Sequence, residues 1–361
     1  MNNNWLFLSR KQSVIIVLCF TILFSLSPFN VVKAAEIITP KILIVTMFQL
    51  GDPLDPKSAG EATIWVQTHQ LNKTIPIVGS KSPLYCNEKK EMCLVTTGVG
   101  TTNAAMTMMA LGLSEQLDLS KTYIIIAGIA GVSPNVASVE SVAIADWFVD
   151  VSVSGEYDAR EMPSTFKYPR FPYGCSSNDC KEPFRMGTES SALNLQMVEW
   201  ALNLTKDIKL EQSETGKQKG SSYTQKTARS FPKVVKCTVA GGNTFWHGKL
   251  ISDWVSSWVD KVTQGKSHYC MTSVEEPGLI PVIDSLTKSG RYDIKRTLLL
   301  RVSSNFDQQT PNQNVEESFT KALMEVNQAV GMHNLHLVGW SVAEYILKNW
   351  KEWEKGVPTL P

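Results

Sequence analysis

Beyond its N-terminal segment, the sequence has no apolar run of about 18 residues, the length that a membrane-spanning helix requires. It also has no excess of charge, because 35 lysines and arginines are balanced by 34 aspartates and glutamates. Neither a basic nucleic-acid surface nor a polybasic membrane patch is therefore indicated. With 361 residues the chain is long enough to bury a substantial core, so the composition predicts a soluble, globular protein.

Residue spacing typical of metal sites is also lacking. The sequence contains no Cys-x-x-Cys pair and its five histidines are scattered, so no metal site is expected. Six cysteines remain when Cys19 of the N-terminal segment is set aside, and an even count in an exported chain indicates disulfides. Spacing favours the pairs Cys86–Cys93, Cys175–Cys180 and Cys237–Cys270. Six cysteines nevertheless allow fifteen pairings, so the pairing stays open at this point.

The N-terminal segment has the order of a secretory signal peptide. Arg10 and Lys11 precede an apolar run over residues 14–26, and Val32-Lys33-Ala34 resembles a small-residue cleavage site. The alternative is an uncleaved anchor, which the short run disfavours. We therefore predict a signal peptide at residues 1–35 and a secreted or periplasmic mature chain that does not span a membrane.

Short apolar runs alternate with helix-like segments along the rest of the chain. Buried strands are predicted at Lys41–Phe48, Leu94–Thr97 and Tyr123–Ala127, with a helix at Thr102–Leu113 before the last of them. This alternation is typical of a three-layer α/β domain. No convincing linker divides the chain, so residues 36–361 are predicted to form a single domain.

Two polar segments interrupt the alternation. Residues 163–183 carry Pro, Gly and two of the cysteines, and they are predicted to form a surface loop held by a disulfide. Residues 206–230 are rich in Lys, Gln, Ser, Thr and Gly, which predicts a mobile loop or a lid. From about Val315 to Trp353, apolar residues recur at helical spacing and indicate helices that pack on the core.

Two glycine segments follow predicted strands closely. They are Thr97-Gly98-Val99-Gly100 and Ala127-Gly128-Ile129-Ala130-Gly131. A backbone without bulky side chains lets a ligand approach closely, and glycine also adopts positive φ. In open α/β sheets, turns of this kind build the crevice for a ligand. Tight turns without a ligand explain the glycines equally well when these segments are considered alone.

The glycine segments belong to an ordered set of motifs. The other members are Glu61, Gly242-Asn243-Thr244-Phe245-Trp246, Val274-Glu275 and Ser304-Asn305. Each motif alone is unspecific, but their order resembles the purine nucleoside permease family, within the nucleoside phosphorylase/nucleosidase superfamily, over about Lys41 to Lys348. The resemblance implies a phosphorylase/hydrolase-like three-layer αβα fold with a central mixed sheet. It also implies a purine nucleoside as the ligand and a homo-oligomer as the assembly.

The resemblance implies how the substrate is held. Glu275 would accept hydrogen bonds from two ribose hydroxyls, and Phe245 or Trp246 would stack on the base. Taken alone, a glutamate such as Glu275 is more often a solvated or salt-bridged surface residue, and a buried aromatic residue is more often part of the core. Glu276 is the neighbour that could be confused with Glu275. The remaining substrate-binding residues implied by the resemblance are Thr97, Gly98, Gly131, Val274 and Ser304.

The candidate catalytic residues are Glu61, Asn305 and Asp307. Nucleosidases of the superfamily carry an aspartate that protonates the purine where this chain has Asn305. An amide cannot act as a general acid, but it can hydrogen-bond a ring nitrogen and an oxo group together, which favours 6-oxopurines such as inosine or guanosine. Asp307 would supply an acid if the alignment shifts by two residues. Glu61 can orient and deprotonate a water, or it can be only a carboxylate at a helix start.

The sequence leaves the nucleophile open. Phosphorolysis needs a phosphate cradle, usually with an arginine, and neither glycine segment contains one. Arg160 and Arg301 are the possible phosphate ligands. We therefore favour hydrolysis of the N-glycosidic bond, with no cofactor unless inorganic phosphate serves a phosphorylase. The competing functions are a soluble nucleoside-binding component of uptake without turnover, and a permease in its own right, which a single removable apolar segment does not support.

Overall fold

The computed structural model describes residues 37–178, 180, 185–324 and 328–360, and the predicted signal peptide lies outside them. The strands are β1 (Ile42–Thr46), β2 (Gln49–Leu50), β3 (Ala59–Gly60), β4 (Lys73–Ile75), β5 (Leu84–Cys86), β6 (Met92–Thr96), β7 (Tyr123–Val132), β8 (Val142–Asp150), β9 (Ser154–Glu156), β10 (Arg170–Pro172), β11 (Ser190–Ala192), β12 (Val234–Gly241), β13 (Tyr269–Ser273) and β14 (Thr297–Phe306). The helices are α1 (Thr63–Thr68), α2 (Thr101–Leu113), α3 (Leu195–Thr205), α4 (Glu214–Ser221), α5 (Lys249–Thr263), α6 (Glu276–Thr287), α7 (Val315–Met324), α8 (Ala329–Lys348) and α9 (Trp350–Trp353). Within this described part, none of the helices combines the length and hydropathy that a membrane span requires.

Ten of the described strands form one mixed sheet. Strand β1 pairs in parallel with β6 on one side and with β7 on the other. Strand β14 pairs in parallel with β7 and antiparallel with β8. Because β8, β12, β13 and β7 are also paired in that order, these five strands close into a ring. The predicted α/β fold with a central mixed sheet is confirmed.

The core lies on the central strands of this sheet. All five residues of β1 are buried, as are nine of the ten residues of β7. The sequence of a strand that is covered on both faces is a continuous apolar run and does not alternate between apolar and polar residues. For this reason β1 and β7 can be predicted from the sequence. Burying each Ile, Val or Leu side chain contributes about 1.5–3 kcal/mol relative to leaving it exposed.

A second, smaller apolar cluster lies between the sheet and α5. Trp254 and Trp258 of α5 pack there, 5.6 Å apart between ring centroids, together with Val149 of β8 and Tyr269 of β13. Helix α5 is preceded by its N-cap residue Gly248, whose φ of +135° is unfavourable for other residues. This cluster anchors the segment that carries Phe245 and Trp246.

Three disulfides connect the cysteines in the favoured pairing. Cys86–Cys93 joins β5 to β6, and Cys237–Cys270 joins β12 to β13. Cys175–Cys180 closes a short loop inside the 163–183 segment. The disulfide expectation is therefore confirmed.

The structure differs from the sequence predictions in two places. Segment 206–230 contains the helix α4, whose N-terminus is capped where Gly216 N–H donates to the Ser213 hydroxyl over 2.9 Å. The segment is also attached to the core, because Tyr223 is buried and its hydroxyl donates to the Gln308 carbonyl over 2.6 Å. Ala127–Gly131 is not a turn but the second half of β7, where small residues let neighbouring side chains approach.

Candidate functional site

A cavity of about 310 Å³ lies at or near the C-terminal ends of strands β1, β7, β13 and β14. Seven of the sequence-predicted site residues line it: Glu61, Gly131, Phe245, Val274, Glu275, Ser304 and Asn305. These residues come from segments that are widely separated in the sequence. The cavity is therefore a product of the fold and not of any local motif.

Glu61 is buried between β3 and α1. Its Oε2 accepts hydrogen bonds from the backbone N–H groups of Met47 (2.6 Å) and Phe48 (2.9 Å), and its Oε1 accepts one from Ile129 (2.8 Å). Burial raises the pKa of Glu61 to about 7, against the lowering effects of Arg301 and of these N–H groups. A carboxyl group whose pKa lies near neutrality is suited to accept a proton from water.

Glu275 lies directly before α6 and is buried at the cavity wall. Its Oε1 accepts a hydrogen bond from Gly100 N–H over 3.2 Å, and its Oε2 accepts one from Arg301 Nη2 over 3.0 Å. Each carboxylate oxygen has a second lone pair that remains able to accept a hydrogen bond. Glu275 is thus a salt-bridged, buried glutamate that still faces a ligand-sized space.

Arg301 of β14 is buried among carboxylates. Its Nε donates to Glu276 Oε1 over 2.5 Å, and its Nη1 donates to the Ile129 carbonyl over 2.8 Å. Burial by itself lowers the pKa of Arg301, but the carboxylates of Glu276 and Glu275 outweigh it and hold the pKa above its ordinary value. The guanidinium therefore remains a permanent cation that is already shared between two glutamates.

Gly128 is the residue beside which the side chains of Glu61 and Arg301 are packed. A Cβ at this position would lie 2.7 Å from Arg301 Nη1, 2.9 Å from Glu61 Oε1 and 2.2 Å from Met47 Cε. No side chain fits at this position without displacing the two charged groups, so the second glycine segment leaves room for Glu61 and Arg301 beside β7.

Phe245 and Asn305 line the same cavity with an aromatic ring and an amide. Phe245 is 41% exposed and meets Phe319 of α7 edge-on, with 5.5 Å between ring centroids. Asn305 Nδ2 donates to the Phe306 carbonyl over 2.8 Å, and its Oδ1 accepts from the Ser304 hydroxyl over 2.9 Å. Both polar atoms of the amide are held by neighbours of the same strand, which fixes the orientation of the amide.

Thr97 and Gly98 do not line the cavity. Thr97 is buried, and its N–H donates to the Thr46 carbonyl over 2.8 Å. Gly98, with a φ of +82°, forms the turn between β6 and α2. The two residues shape this turn, and the neighbouring Val99 reaches the cavity instead.

Trp246 and Asp307 are also outside the cavity lining. Trp246 is buried in the cluster under α5, 6.0 Å from Tyr269 between ring centroids. Asp307 Oδ2 accepts hydrogen bonds from the hydroxyls of Ser252 and Tyr269, each over 2.7 Å, and burial raises the pKa of Asp307 to about 7. These contacts tie β14 to α5 and β13, so the carboxyl links elements rather than facing a ligand.

The two arginines proposed as phosphate ligands have other partners. Arg160 is exposed and forms a bidentate pair with Asp158, with Nε–Oδ1 and Nη2–Oδ2 distances of 2.8 and 2.7 Å. Arg160 does not line the cavity, and Arg301 is engaged by Glu275 and Glu276. Arg160 therefore lies outside the cavity lining, and all three nitrogen atoms of the Arg301 guanidinium already have partners.

Parts of the site were not anticipated from the sequence. The backbone N–H groups of Met47 and Phe48 hold Glu61, although the sequence indicated only that these two residues belong to a buried strand. Ala322 and Leu323 of α7 line the cavity, whereas their helical spacing indicated only core packing. Asn243 accepts a hydrogen bond from Thr101 N–H over 2.9 Å at the N-terminus of α2. No sequence pattern indicates that contact, because the two residues lie far apart in the chain.

A second cavity of about 440 Å³ adjoins the first. Both cavities are lined by Phe48, Glu61, Ile129 and Gln328. The Glu61 end of the site is therefore bordered by two spaces, whereas Phe245 and Asn305 border only the first of them.

A family model described as purine nucleoside permease matches residues 39–358. The chain belongs to the purine nucleoside permease family. It is 30% identical over 331 residues to a “Probable purine nucleoside permease” of Schizosaccharomyces pombe, covering 88% of this chain and 92% of that protein. It is also 28% identical over 333 residues to a “Purine nucleoside permease” of Candida albicans, covering 90% and 79% of the two chains.

The fold of this permease-family chain is similar to that of a solved nucleosidase. A 5'-methylthioadenosine/S-adenosylhomocysteine nucleosidase from Helicobacter pylori matches with a TM-score of 0.50 and 14% sequence identity. The match covers 85% of the permease-family chain and 99% of the nucleosidase. At this identity the likeness concerns the fold alone, and the predicted phosphorylase/nucleosidase-like fold class is confirmed.

Proposed function

We propose that this permease-family protein binds a purine nucleoside in the 310 Å³ cavity and hydrolyses its N-glycosidic bond. The observation that supports this most strongly is that Glu61, Phe245, Glu275 and Asn305 line one space. Together they offer a carboxyl group for water, a ring for the base, an acceptor for hydroxyls and an amide for the base edge. A purine nucleoside carries the matching groups.

In the proposed reaction, cleavage passes through an oxocarbenium-like sugar while negative charge moves to the departing purine. The Glu275 carboxylate accepts hydrogen bonds from ribose hydroxyls through its remaining lone pairs, and its charge favours the cationic sugar. Glu61 accepts a proton from the attacking water as the new C–O bond forms and the C–N bond breaks. Its pKa of about 7 leaves a substantial ionised fraction at neutral pH.

Asn305 is proposed to recognise the base. Beyond the hydrogen bonds to Phe306 and Ser304, the amide keeps a second N–H and a second lone pair on Oδ1, so it can bind a ring nitrogen and an oxo group of a 6-oxopurine together. It cannot donate a proton to the leaving group, which disfavours bases whose departure requires protonation by the protein. We therefore expect inosine and guanosine to be better substrates than adenosine.

Water is favoured over phosphate as the nucleophile by the electrostatics of the cavity. Glu61 and Glu275 line it, and Arg301, the cation among its described lining residues, is paired with Glu275 and Glu276. The N-terminus of α2 would otherwise suit an anion. Its Gly100 and Thr101 N–H groups instead donate to Glu275 and Asn243. A phosphate would have to displace these acceptors while approaching two carboxylates.

The proposal is tested with the purified mature chain and inosine, with and without inorganic phosphate. Hypoxanthine and free ribose formed without phosphate support hydrolysis. A strict phosphate requirement with ribose 1-phosphate as product would replace hydrolysis by phosphorolysis. Tight inosine binding without release of base would contradict cleavage altogether.

A second candidate function is a nucleoside-binding role in uptake without turnover. It is supported by the names of the relatives, which are described as purine nucleoside permeases. In that role the same residues would hold the nucleoside intact, and the protein would deliver it to a partner. The absence of base release in the assay above, together with binding, would favour this role.

We also propose that the mature chain is exported. The three disulfides suit an oxidising compartment. Fractionation of cells that produce the full chain, with N-terminal sequencing of the mature protein, tests this. Cleavage near residue 35 and recovery outside the cytoplasm are the expected results.

A further inference from the structure

Glu276 is fully buried next to Glu275, yet it does not line the cavity. Its Oε1 accepts a hydrogen bond from Arg301 Nε over 2.5 Å, and its Oε2 accepts one from the Ser273 hydroxyl. Both oxygens of the Glu276 carboxylate are thus hydrogen-bonded inside the protein and do not line the cavity. Burying a carboxylate is costly unless its partners repay the loss of hydration, so a role for this residue beyond packing is indicated.

The backbone leaves room for this arrangement. A Cβ on Gly241, at the end of β12, would lie 2.8 Å from Ser273 Oγ and 3.5 Å from Glu276 Oε2. The glycine therefore keeps open the space in which Ser273 and Glu276 meet.

We propose that Glu276 is a positioning residue that holds the Arg301 guanidinium in the orientation that serves both Glu275 and Glu61. With Nε fixed by Glu276, Nη2 faces Glu275 and Nη1 faces the Ile129 carbonyl. Ile129 N–H in turn donates to Glu61. The inference rests on the proposed function, in which Glu275 binds the sugar and Glu61 activates water.

The arrangement also distributes charge. The interacting charged groups are Glu61 before α1, Glu275 and Glu276 at the start of α6, and Arg301 on β14. With every group ionised, three carboxylates share one guanidinium. The negative charge of Glu276 opposes the electrostatic stabilisation that Arg301 gives to ionised Glu61. Replacing the Glu276 carboxylate by an amide therefore makes Glu61 easier to ionise.

The substitution Glu276→Gln tests the proposal, because it keeps the shape of the side chain and removes its charge. Glu276→Asp keeps the charge but shortens the reach to Arg301. Glu199→Gln is the matched control, since Glu199 forms a surface ion pair with Lys236 over 2.8 Å, outside the cavity lining. For each variant, kcat/KM for inosine is measured from pH 4.5 to 9, together with the preference for inosine over 2'-deoxyinosine.

We expect Glu276→Gln to move the acidic limb of the kcat/KM profile down by about one pH unit. The preference for inosine over 2'-deoxyinosine should fall about tenfold, because the charge-assisted hydrogen bond that fixes Arg301, the partner of Glu275, becomes a weaker neutral one. Glu276→Asp should leave the limb in place while weakening this preference. Glu199→Gln should behave as the unsubstituted protein does. A folded Glu276→Gln variant with both the limb and the preference unchanged overturns the proposal.

Two further measurements cover failures of the variants or of the assay. If Glu276→Gln does not fold, Ser273→Ala loosens the second oxygen of Glu276 without changing charge. Ser273→Ala should weaken the preference for inosine over 2'-deoxyinosine and leave the acidic limb unmoved. An unchanged preference counts against the proposal.

If the unsubstituted protein cleaves nothing, the proposed function fails separately. Calorimetric binding of inosine and 2'-deoxyinosine to Glu276→Gln then decides whether discrimination is reduced, as expected, or unchanged, which overturns the inference.

Discussion

The substitution Glu61→Gln removes the carboxyl group that we assign to water activation and preserves its shape. In the structure, this carboxylate accepts three backbone hydrogen bonds, from Met47, Phe48 and Ile129. A glutamine can turn its single oxygen toward Met47 and Phe48, and its NH₂ group then faces the N–H of Ile129. One buried donor loses its acceptor, so the free energy of unfolding should fall by about 1–3 kcal/mol.

The effect on catalysis should exceed the effect on stability. A positioned general base contributes about 10²–10⁴-fold to the rate, which corresponds to about 3–5 kcal/mol of activation free energy. We therefore expect kcat for inosine hydrolysis to fall by at least about 10²-fold, with a much smaller change in KM.

The pH profile provides an independent check on Glu61. Burial raises its pKa to about 7, and only the ionised form accepts a proton, so kcat/KM should rise with pH through about 7. This limb should disappear in Glu61→Gln. The assay is release of hypoxanthine followed by absorbance, with a thermal melt to verify folding. A folded variant that retains the full rate, or a flat profile for the unsubstituted protein between pH 5 and 8, would refute the assignment.

Four other substitutions follow from the site and the core. Glu275→Ala should lower kcat/KM by about 10²-fold through lost hydroxyl contacts, and an unchanged constant would remove Glu275 from the site. Gly128→Ala should cost about 1–3 kcal/mol of unfolding free energy by overpacking, measured in urea, and should also slow turnover. Asn305→Asp should raise adenosine cleavage relative to inosine, since a carboxylic acid can protonate the leaving base; competition assays report the ratio. Burial lowers the pKa of the hydrogen-bonded His69 and His336 to about 4, so stability conferred by neutral imidazoles is lost as pH falls from about 6.5 towards 4. His69→Gln should reduce this loss in urea titrations at pH 5 and 7, and equal losses in both proteins would contradict it.

The sequence indicates the fold well wherever strands are buried on both faces. The observed limits of β1 and β6 differ from those predicted from their apolar runs by only one or two residues at each end. Strand β7 was predicted to stop at Ala127, because small residues look like a turn, but it continues to Val132 beside Arg301 and Asn305. Segment 206–230 looks like a loop by composition, since the contacts that hold α4 come from distant residues.

The sequence indicated several residues that line the cavity, but not how these residues are connected to one another. Glu61, Phe245, Glu275 and Asn305 emerged from the order of the motifs, and they line one cavity. Arg301 was considered as a phosphate ligand, whereas it is paired with Glu275 and Glu276. Those pairs arise from the placement of β14 beside the start of α6, which residue spacing along a single chain does not encode.

The paired guanidinium has a consequence for which metabolites can enter. Because carboxylates face the cavity and Arg301 is already paired with Glu275 and Glu276, these carboxylates would repel the negative charge of a phosphate ester. Under the proposed function, nucleotides would be rejected and only their dephosphorylated forms accepted. A phosphatase reaction would then have to precede this protein wherever nucleotides are the source of its substrate.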